Sequence, residues 1–289
     1  MKHNITQTNI LNTILHIYVM HLTIENKPKL EIFVSIFQLL KNWSSCINMH
    51  FETDKLYIQS MDNSHICLAD VVIHSTWFSS YVCPHNNKVA VDSTHFALLI
   101  NYALKHNKLE LKYEEEYEPD KLYINFLNNK DKDTNGAFDH FFELNLREQD
   151  EDSLEIPKVD YDVEFVIDAK KLVDAFSELN AFGTDLNIQC SDTLIELNAS
   201  GDASKLTVKI AVEELDEYTI TEDKHVNVSY SLNHLRKMCL SNKLSSNINI
   251  SVSEEYPMTL IYNIDDEKGM VNNTNSQVAF YIAPKISDN

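Results

Sequence analysis

Leu109-Glu-Leu-Lys-Tyr-Glu-Glu-Glu-Tyr-Glu-Pro119 comes back, altered, as Ile248-Asn-Ile-Ser-Val-Ser-Glu-Glu-Tyr-Pro257. Glu115, Glu116 and Tyr117 align with Glu254, Glu255 and Tyr256 at an offset of 139 residues, and His95-Phe96 aligns with His234-Leu235 at the same offset. In each copy a helical stretch precedes an alternating, strand-like run that ends in an acidic turn. A repeat of this length is a domain duplication, not a solenoid. The 289-residue chain therefore divides into two domains of ordinary size.

The same order of elements recurs around these anchors. In the first half, Phe33–Trp43 has apolar residues at helical spacing, and Ile47–Phe51, Lys55–Ser60 and Ile66–Ser75 read as strands. A second helix is expected over Asp92–His106, opened by Asp-Ser-Thr, and strands over Lys108–Tyr113, Lys121–Leu127 and Phe138–Leu146. In the second half Ile167–Phe182 is helical, with Gly183 placed to end it, and strands follow at Leu186–Cys190, Leu194–Ala199 and Lys205–Val212. A helix over Ser231–Leu240 then precedes strands at Asn247–Val252, Met258–Ile264 and Gln277–Ala283. Between the halves, residues 147–161 form an acidic segment without helical or strand period, yet with Leu154, Ile156 and Tyr161. Such a connector is either a binding surface or a strap packed on its own sheet.

Apolar residues make up 44% of the chain and charged residues 24%, enough for a sizeable core. The 24 Lys+Arg against 44 Asp+Glu give a net charge of −20. Spread evenly, that charge would exclude nucleic acid, whose phosphates need a basic footprint. The spread is uneven. The helical stretches 31–47, 92–106, 167–182 and 231–243 hold seven bases (Lys41, Lys105, Lys170, Lys171, Arg236, Lys237, Lys243) and five acids, a net of +2, which leaves −22 elsewhere. Five scattered cysteines without a CxxC pair disfavour a disulfide framework and a structural zinc site, and fit a reducing, intracellular compartment. Ile10–Ile24 is apolar but too short and too polar to span a membrane, and no membrane partner is expected.

Gln59-Ser-Met-Asp-Asn-Ser-His-Ile66, Leu154-Glu-Ile-Pro157 with Tyr161, Ala199-Ser-Gly201 and Tyr281-Ile-Ala-Pro-Lys-Ile286 together resemble the proliferating cell nuclear antigen family, the eukaryotic DNA sliding clamps. The resemblance runs from about Leu22 to Ile286. It implies an α+β fold of two duplicated clamp domains, with helices lining the inside and antiparallel sheets outside, assembling as a closed homotrimeric ring around double-stranded DNA. The domains would be 1–146, with 1–21 an extension outside the match, then the connector 147–161, then 162–289. The seven helical bases listed above would face DNA, although Val34, Ser35, Leu98, Asn101, Asp174, Asn233 and Leu240 stand where relatives often carry Lys or Arg. By position, Lys121–Leu127 and Lys205–Val212 would pair between subunits, as free strand edges need cover.

The resemblance further implies a processivity factor that tethers DNA polymerase, a clamp loader and other proteins with aromatic-plug peptides. Their pocket would be built from Met61, His65 and Leu68, from Leu154, Ile156, Pro157 and Tyr161, and from Pro257, Tyr281, Ala283 and Pro284, with the backbone of Lys285–Ile286 pairing with the peptide. Relatives commonly carry a modifiable lysine two residues after the equivalent of Cys190; here Asp192 stands there, so ubiquitin attached at that point is not expected. Other clamp roles stay open: a subunit of a heterotrimeric checkpoint-like clamp, or a non-trimeric processivity factor. The Asn, Ile and Lys richness fits an AT-rich genome, that of a large DNA virus or a protist, with the nucleus or a cytoplasmic viral replication site as the compartment.

No enzyme is expected, and no cofactor or metal. Asp62 with His65, and the pairs Glu115/Glu116 and Glu254/Glu255, come without a Gly-rich phosphate loop, nucleophile elbow or HExxH pattern. Adjacent glutamates in a strand point to opposite faces, which is poor geometry for acid–base work.

Overall fold

The computed structural model describes residues 19–128, 138–148, 153–239, 243–265 and 275–285. It consists of two compact units: Met1–Gln59, Val71–Glu151 and Glu267–Ser276 form unit 1, and Ser60–Asp70, Asp152–Asp266 and Gln277–Asn289 form unit 2.

Unit 1 contains, in chain order, β1 (Met20–Ile24), α1 (Lys27–Leu40), β2 (Cys46–Phe51), the start of β3 (Lys55–Met61), the end of β4 (Cys67–His74), β5 (Ser80–Val82), β6 (Asn87–Asp92), α2 (Ser93–Ile100), β7 (Lys108–Tyr113), β8 (Lys121–Leu127) and β9 (His140–Asn145). One sheet runs β5-β1-β7-β8-β9, and a second set of strands runs β4-β3-β2-β6. Alternation along the strands turns Leu22, Leu111, Ile124 and Phe126 into the core. There they meet the apolar stripe of α1 and α2, whose Phe37 and Phe96 rings stand edge to face 4.6 Å apart.

Unit 2 repeats this plan with β10 (Val163–Asp168), α3 (Ala169–Leu179), β11 (Asp185–Cys190), β12 (Leu194–Ser200), β13 (Lys205–Ala211), β14 (Glu217–Ile220), β15 (Val226–Ser231), α4 (Leu232–Met238), β16 (Asn247–Val252), β17 (Met258–Asn263) and β18 (Gln277–Ile282). Its sheets run β14-β10-β16-β17-β18 and β13-β12-β11-β15, the same two orders. The offset of 139 residues carries both ends of β2, β3, β6 and β7 onto those of β11, β12, β15 and β16. Within unit 2, β18 also lies beside the first half of β4, and Ala283 N–H donates to Ile66 C=O at 3.0 Å just past its end.

Helix starts follow local chemistry. Asp92 and Asp168 are at once the last residue of a strand and a helix N-cap, accepting from the amides of His95 and Lys171 at 2.8 Å each. The helices expected from Asp92 and Ile167 therefore begin at Ser93 and Ala169, and the first ends at Ile100 before a 3-10 turn over Asn101–Lys105. The helix expected from Phe33 begins at Lys27, because its first turn, Lys-Pro-Lys, shows no apolar period. Proline is tolerated there, where its missing N–H is not needed. The expected end of the last helix, Leu240, lies outside the described residues, as do residues 1–18 and Ile286. Met20 and His21, placed by the sequence in an N-terminal extension, belong to β1 and pair with β7 in the sheet interior.

Two glycines meet back to back. A Cβ on Gly183 would stand 2.7 Å from Ser200 O, and one on Gly201 would stand 2.7 Å from Phe182 O. Gly183 follows α3 as expected, but what requires glycine is this close approach.

One expectation about edges fails. Lys121–Leu127 is not an edge: β8 pairs with β7 on one side and β9 on the other. The edge is β9. Alternation cannot separate an edge strand from its inner neighbour, since both have one buried face. The other expected edge is real, since β13 pairs only with β12 among the described strands. Both edges have half-buried residues on the core-facing side. His140 and Phe142 on β9, and Leu206, Val208 and Ile210 on β13, are partly open where their neighbours Ile124, Phe126, Ile195 and Leu197 are closed.

Candidate functional site

A groove with room for about 260 Å³ runs across unit 2. Ten of the eleven residues expected there line it: Met61, His65, Leu68, Leu154, Ile156, Pro157, Tyr161, Pro257, Tyr281 and Ala283. Pro284 is the exception; it follows Ala283, half-buried, without lining the groove. Ile66, Cys67, Glu155, Val159 and Tyr256 complete the lining. Tyr256 sits in the repeated Glu-Glu-Tyr motif, so an aromatic beside an acid pair was the available signal. Three of the large apolar side chains exposed in the chain, Ile66 at 38%, Leu154 at 52% and Tyr256 at 38%, line this one groove. Such clustering of exposed apolar surface marks a docking surface rather than scatter. The volume falls below the ~300–1,000 Å³ of small-molecule sites and suits a few inserted side chains.

Tyr161 and Tyr281, which line the groove, are uncharged at neutral pH. Burial, with Asp70 and Tyr161 nearby, pushes the Tyr281 phenol up to about 12. Burial raises Tyr161 as well, against the opposing hydrogen bond with Thr259. Both rings therefore offer apolar faces with neutral hydroxyls.

One wall is the turn Asp62–Ile66. Asp62 Oδ1 accepts from the amides of Ile66 and Cys67 at 2.8 and 2.7 Å, and Oδ2 from the Ser64 amide at 3.2 Å and the Ser64 hydroxyl. Burial works against ionisation of Asp62, but these donors outweigh it and hold the carboxyl below its ordinary value. His65 takes a left-handed φ of 56°, which a non-glycine residue adopts only when the surroundings fix it. With its oxygens so engaged, Asp62 is an organiser of the turn, not a base partnered with His65. The Lys285 amide, expected to meet an incoming peptide, instead donates to Ser229 C=O at 2.8 Å.

The seven helical bases are all solvent-exposed. In unit 1, Lys41 caps the end of α1 and reaches Gln38 Oε1, and Lys105 ends the 3-10 turn after α2, its Nζ 5.9 Å from the Tyr102 ring centre. In unit 2, Lys170 and Lys171 lie in the first turn of α3, Arg236 and Lys237 in the last turn of α4, and Lys243 beyond it. Lys170 is paired with Asp174 at 2.7 Å, one turn on, which raises its pKa and offsets its charge. The helix starting at Lys27 adds two bases the sequence reading left out. Both reach backbone carbonyls of unit 1, the exposed Lys27 that of Leu104 and the half-buried Lys29 that of Trp77 at 3.0 Å.

Duplicated units of this topology, with an apolar groove under the segment that precedes the second, define a sliding-clamp fold. A crystal structure of proliferating cellular nuclear antigen from Entamoeba histolytica matches with a TM-score of 0.76 and 20% identity, over 92% of this chain and 99% of that one. Residues 27–153 match the family model for the proliferating cell nuclear antigen N-terminal domain and residues 155–285 that for its C-terminal domain. The chain belongs to the proliferating cell nuclear antigen family, as a divergent member. It is 26% identical over 261 residues to proliferating cell nuclear antigen 2 of Plasmodium falciparum, which covers 89% of this chain and 97% of that protein. Against proliferating cell nuclear antigen of Chaetomium thermophilum it is 25% identical over 263 residues, 89% of this chain and 96% of that protein. Members of the family are non-enzymatic processivity factors in DNA replication and repair, and this chain is a clamp of that kind.

Proposed function

We propose that three copies of the chain join head to tail into a ring around double-stranded DNA, and that the unit 2 groove tethers DNA polymerase, the clamp loader and other partners by aromatic-plug peptides. The compartment of this activity is the nucleus or a cytoplasmic replication site, and the units divide at the connector 147–161. The observation that carries the ring is the pair of open edges. By the repeat, β9 corresponds to β18 and β13 to β4, and β18 runs beside the first half of β4 within unit 2. The edges β9 and β13 are thus the same two edges, each without a partner among the described strands, and a second copy supplies it.

Charge does not oppose that pairing. The solvent face of β9 carries Glu143, already 3.2 Å from Lys121, and that of β13 carries Lys205 and Lys209, the latter 2.7 Å from Glu196. A hollow of about 420 Å³ between α3 and β13, lined in part by Leu172, Ala175, Val208 and Ile210, leaves space beside the β13 edge for apolar side chains of β9. The exposed bases on α1, α3 and α4 would meet phosphates weakly, because encirclement rather than affinity retains the ring.

The test is topological. The particle should weigh about 100 kDa, three times 33.3 kDa. It should stay on nicked circular DNA and leave the same DNA once linearised; equal retention on both forms would refute encirclement. For the groove, a labelled aromatic-plug peptide should bind, and Ile156→Asp should abolish that binding.

A further inference from the structure

His234 lies on α4, outside the groove lining, yet its ring reaches the wall of the groove. Its Nε2 stands 3.5 Å from Asp62 Oδ2 and 3.4 Å from Ser64 Oγ, and its Nδ1 stands 2.8 Å from Ser231 Oγ. All four residues belong to unit 2. With the Ser231 hydroxyl donating to Nδ1, the ring proton is assigned to Nε2, which points at the carboxylate that organises the turn. The His234 side chain is 20% exposed and that of Asp62 14%, so the contact is largely shielded from water.

The repeat supplies an internal control. His95 occupies the same place on α2, 139 residues earlier, and is exposed. A histidine at this helical position is therefore not drawn inward by the helix itself. Four groove-lining residues in succession, His65, Ile66, Cys67 and Leu68, follow from the turn that Asp62 closes. His65 in its left-handed conformation makes that turn costly to hold, and the carboxylate offsets the cost through its hydrogen bonds.

Building on the reading of the groove as a peptide site, we propose that His234 is a positioning residue for it: by holding Asp62 and Ser64 from α4, it sets the wall against which the peptide docks without touching the peptide. Loss of the ring leaves the Asp62–Ile66 turn its own hydrogen bonds but removes the brace from behind. Peptide affinity then falls while the clamp stays folded.

The experiment measures binding of a fluorescein-labelled synthetic peptide with an aromatic plug by anisotropy, on the full chain, with thermal melts and solution mass as controls. His234→Ala and His234→Asn, whose side chains cannot reach Asp62 or Ser64, should weaken binding about three- to tenfold, the loss of one long, partly buried polar contact. His234→Gln, with an amide nitrogen at about the reach of Nε2, should restore binding to within about twofold. Wild-type affinity in His234→Asn, or a loss in His234→Gln as large as in His234→Asn, would overturn the assignment. If Ile156→Asp abolishes binding while all three His234 variants bind as wild type, the groove reading survives and only the role of His234 is refuted. No wild-type binding, or binding indifferent to Ile156→Asp, refutes the groove itself and this proposal with it. Should His234→Ala fail to fold, the Asn and Gln pair, similar in polarity and different in reach, carries the comparison.

Discussion

Replacing Glu110 by glutamine should cost unit 1 about 2–3 kcal/mol at neutral pH, a cost that should vanish as pH falls toward 2. Glu110 sits on the solvent side of β7, but its side chain is only 11% exposed. Its carboxylate accepts from Asn125 Nδ2 at 2.8 Å and faces His21 Nε2 at 2.9 Å and Lys112 Nζ at 3.2 Å. Burial alone would raise its pKa; the bonds from Asn125, His21 and Lys112 overcome that and hold it at about 2, against an ordinary 4.5. At ~1.4 kcal/mol per pH unit, that gap corresponds to about 3 kcal/mol. Because the folded pKa lies below the unfolded one, this stability is complete above pH 4.5 and is lost as pH falls toward 2. Glutamine keeps the shape, loses the charge and turns an N–H₂ toward the donors on one side, either His21 or Asn125 with Lys112. Both tryptophans, Trp43 and Trp77, lie in unit 1, so tryptophan fluorescence in urea titrations reports this unit alone. Titrations from pH 7 down to pH 2.5 should show the wild-type advantage shrinking as the carboxylate titrates. A pH-independent difference, or one below about 1 kcal/mol at pH 7, would refute the network as the source.

Three further outcomes are expected. Gly183→Ala forces a Cβ to 2.7 Å from the Ser200 carbonyl and should lower the stability of unit 2 by about 2–3 kcal/mol, read as a lower denaturation temperature by calorimetry. Val208→Asp, on a side chain half-open in the single chain, should leave the fold intact and shift the mass in light scattering from about 100 kDa toward 33.3 kDa. Alanine at Lys41, Arg236 and Lys237 together should weaken clamp-dependent DNA synthesis without changing that mass; unchanged processivity would remove these bases from the DNA path.

The repeat was legible because both copies kept it at one spacing, and the structure carries it through whole strands, as from β2 to β11 and from β7 to β16. Ten of the groove residues were reachable because the family resemblance, carried by short motifs, implied them. What escaped depended on relations between distant segments. β5 and β14, at three and four residues, are too short for alternation to register. β9 was read as a strand, but that it, rather than β8, forms the edge follows only from the sheet order. The first turn of α1 is polar and hides from any apolar period. His234 looked like a repeat marker, because nothing in its neighbourhood of sequence points to Asp62, far back in the chain.

The doubling of the chain has a mechanical consequence. Where β18 runs beside the start of β4, both strands belong to one covalent chain, so separation there is opposed by the connection as well as by the hydrogen bonds. The junction proposed between β9 of one copy and β13 of the next has no such tie. In the proposed three-membered ring the two kinds of junction alternate, and the three without a covalent tie are the easier to part. Threading the proposed ring onto an endless duplex would then need just one of the weaker three to give.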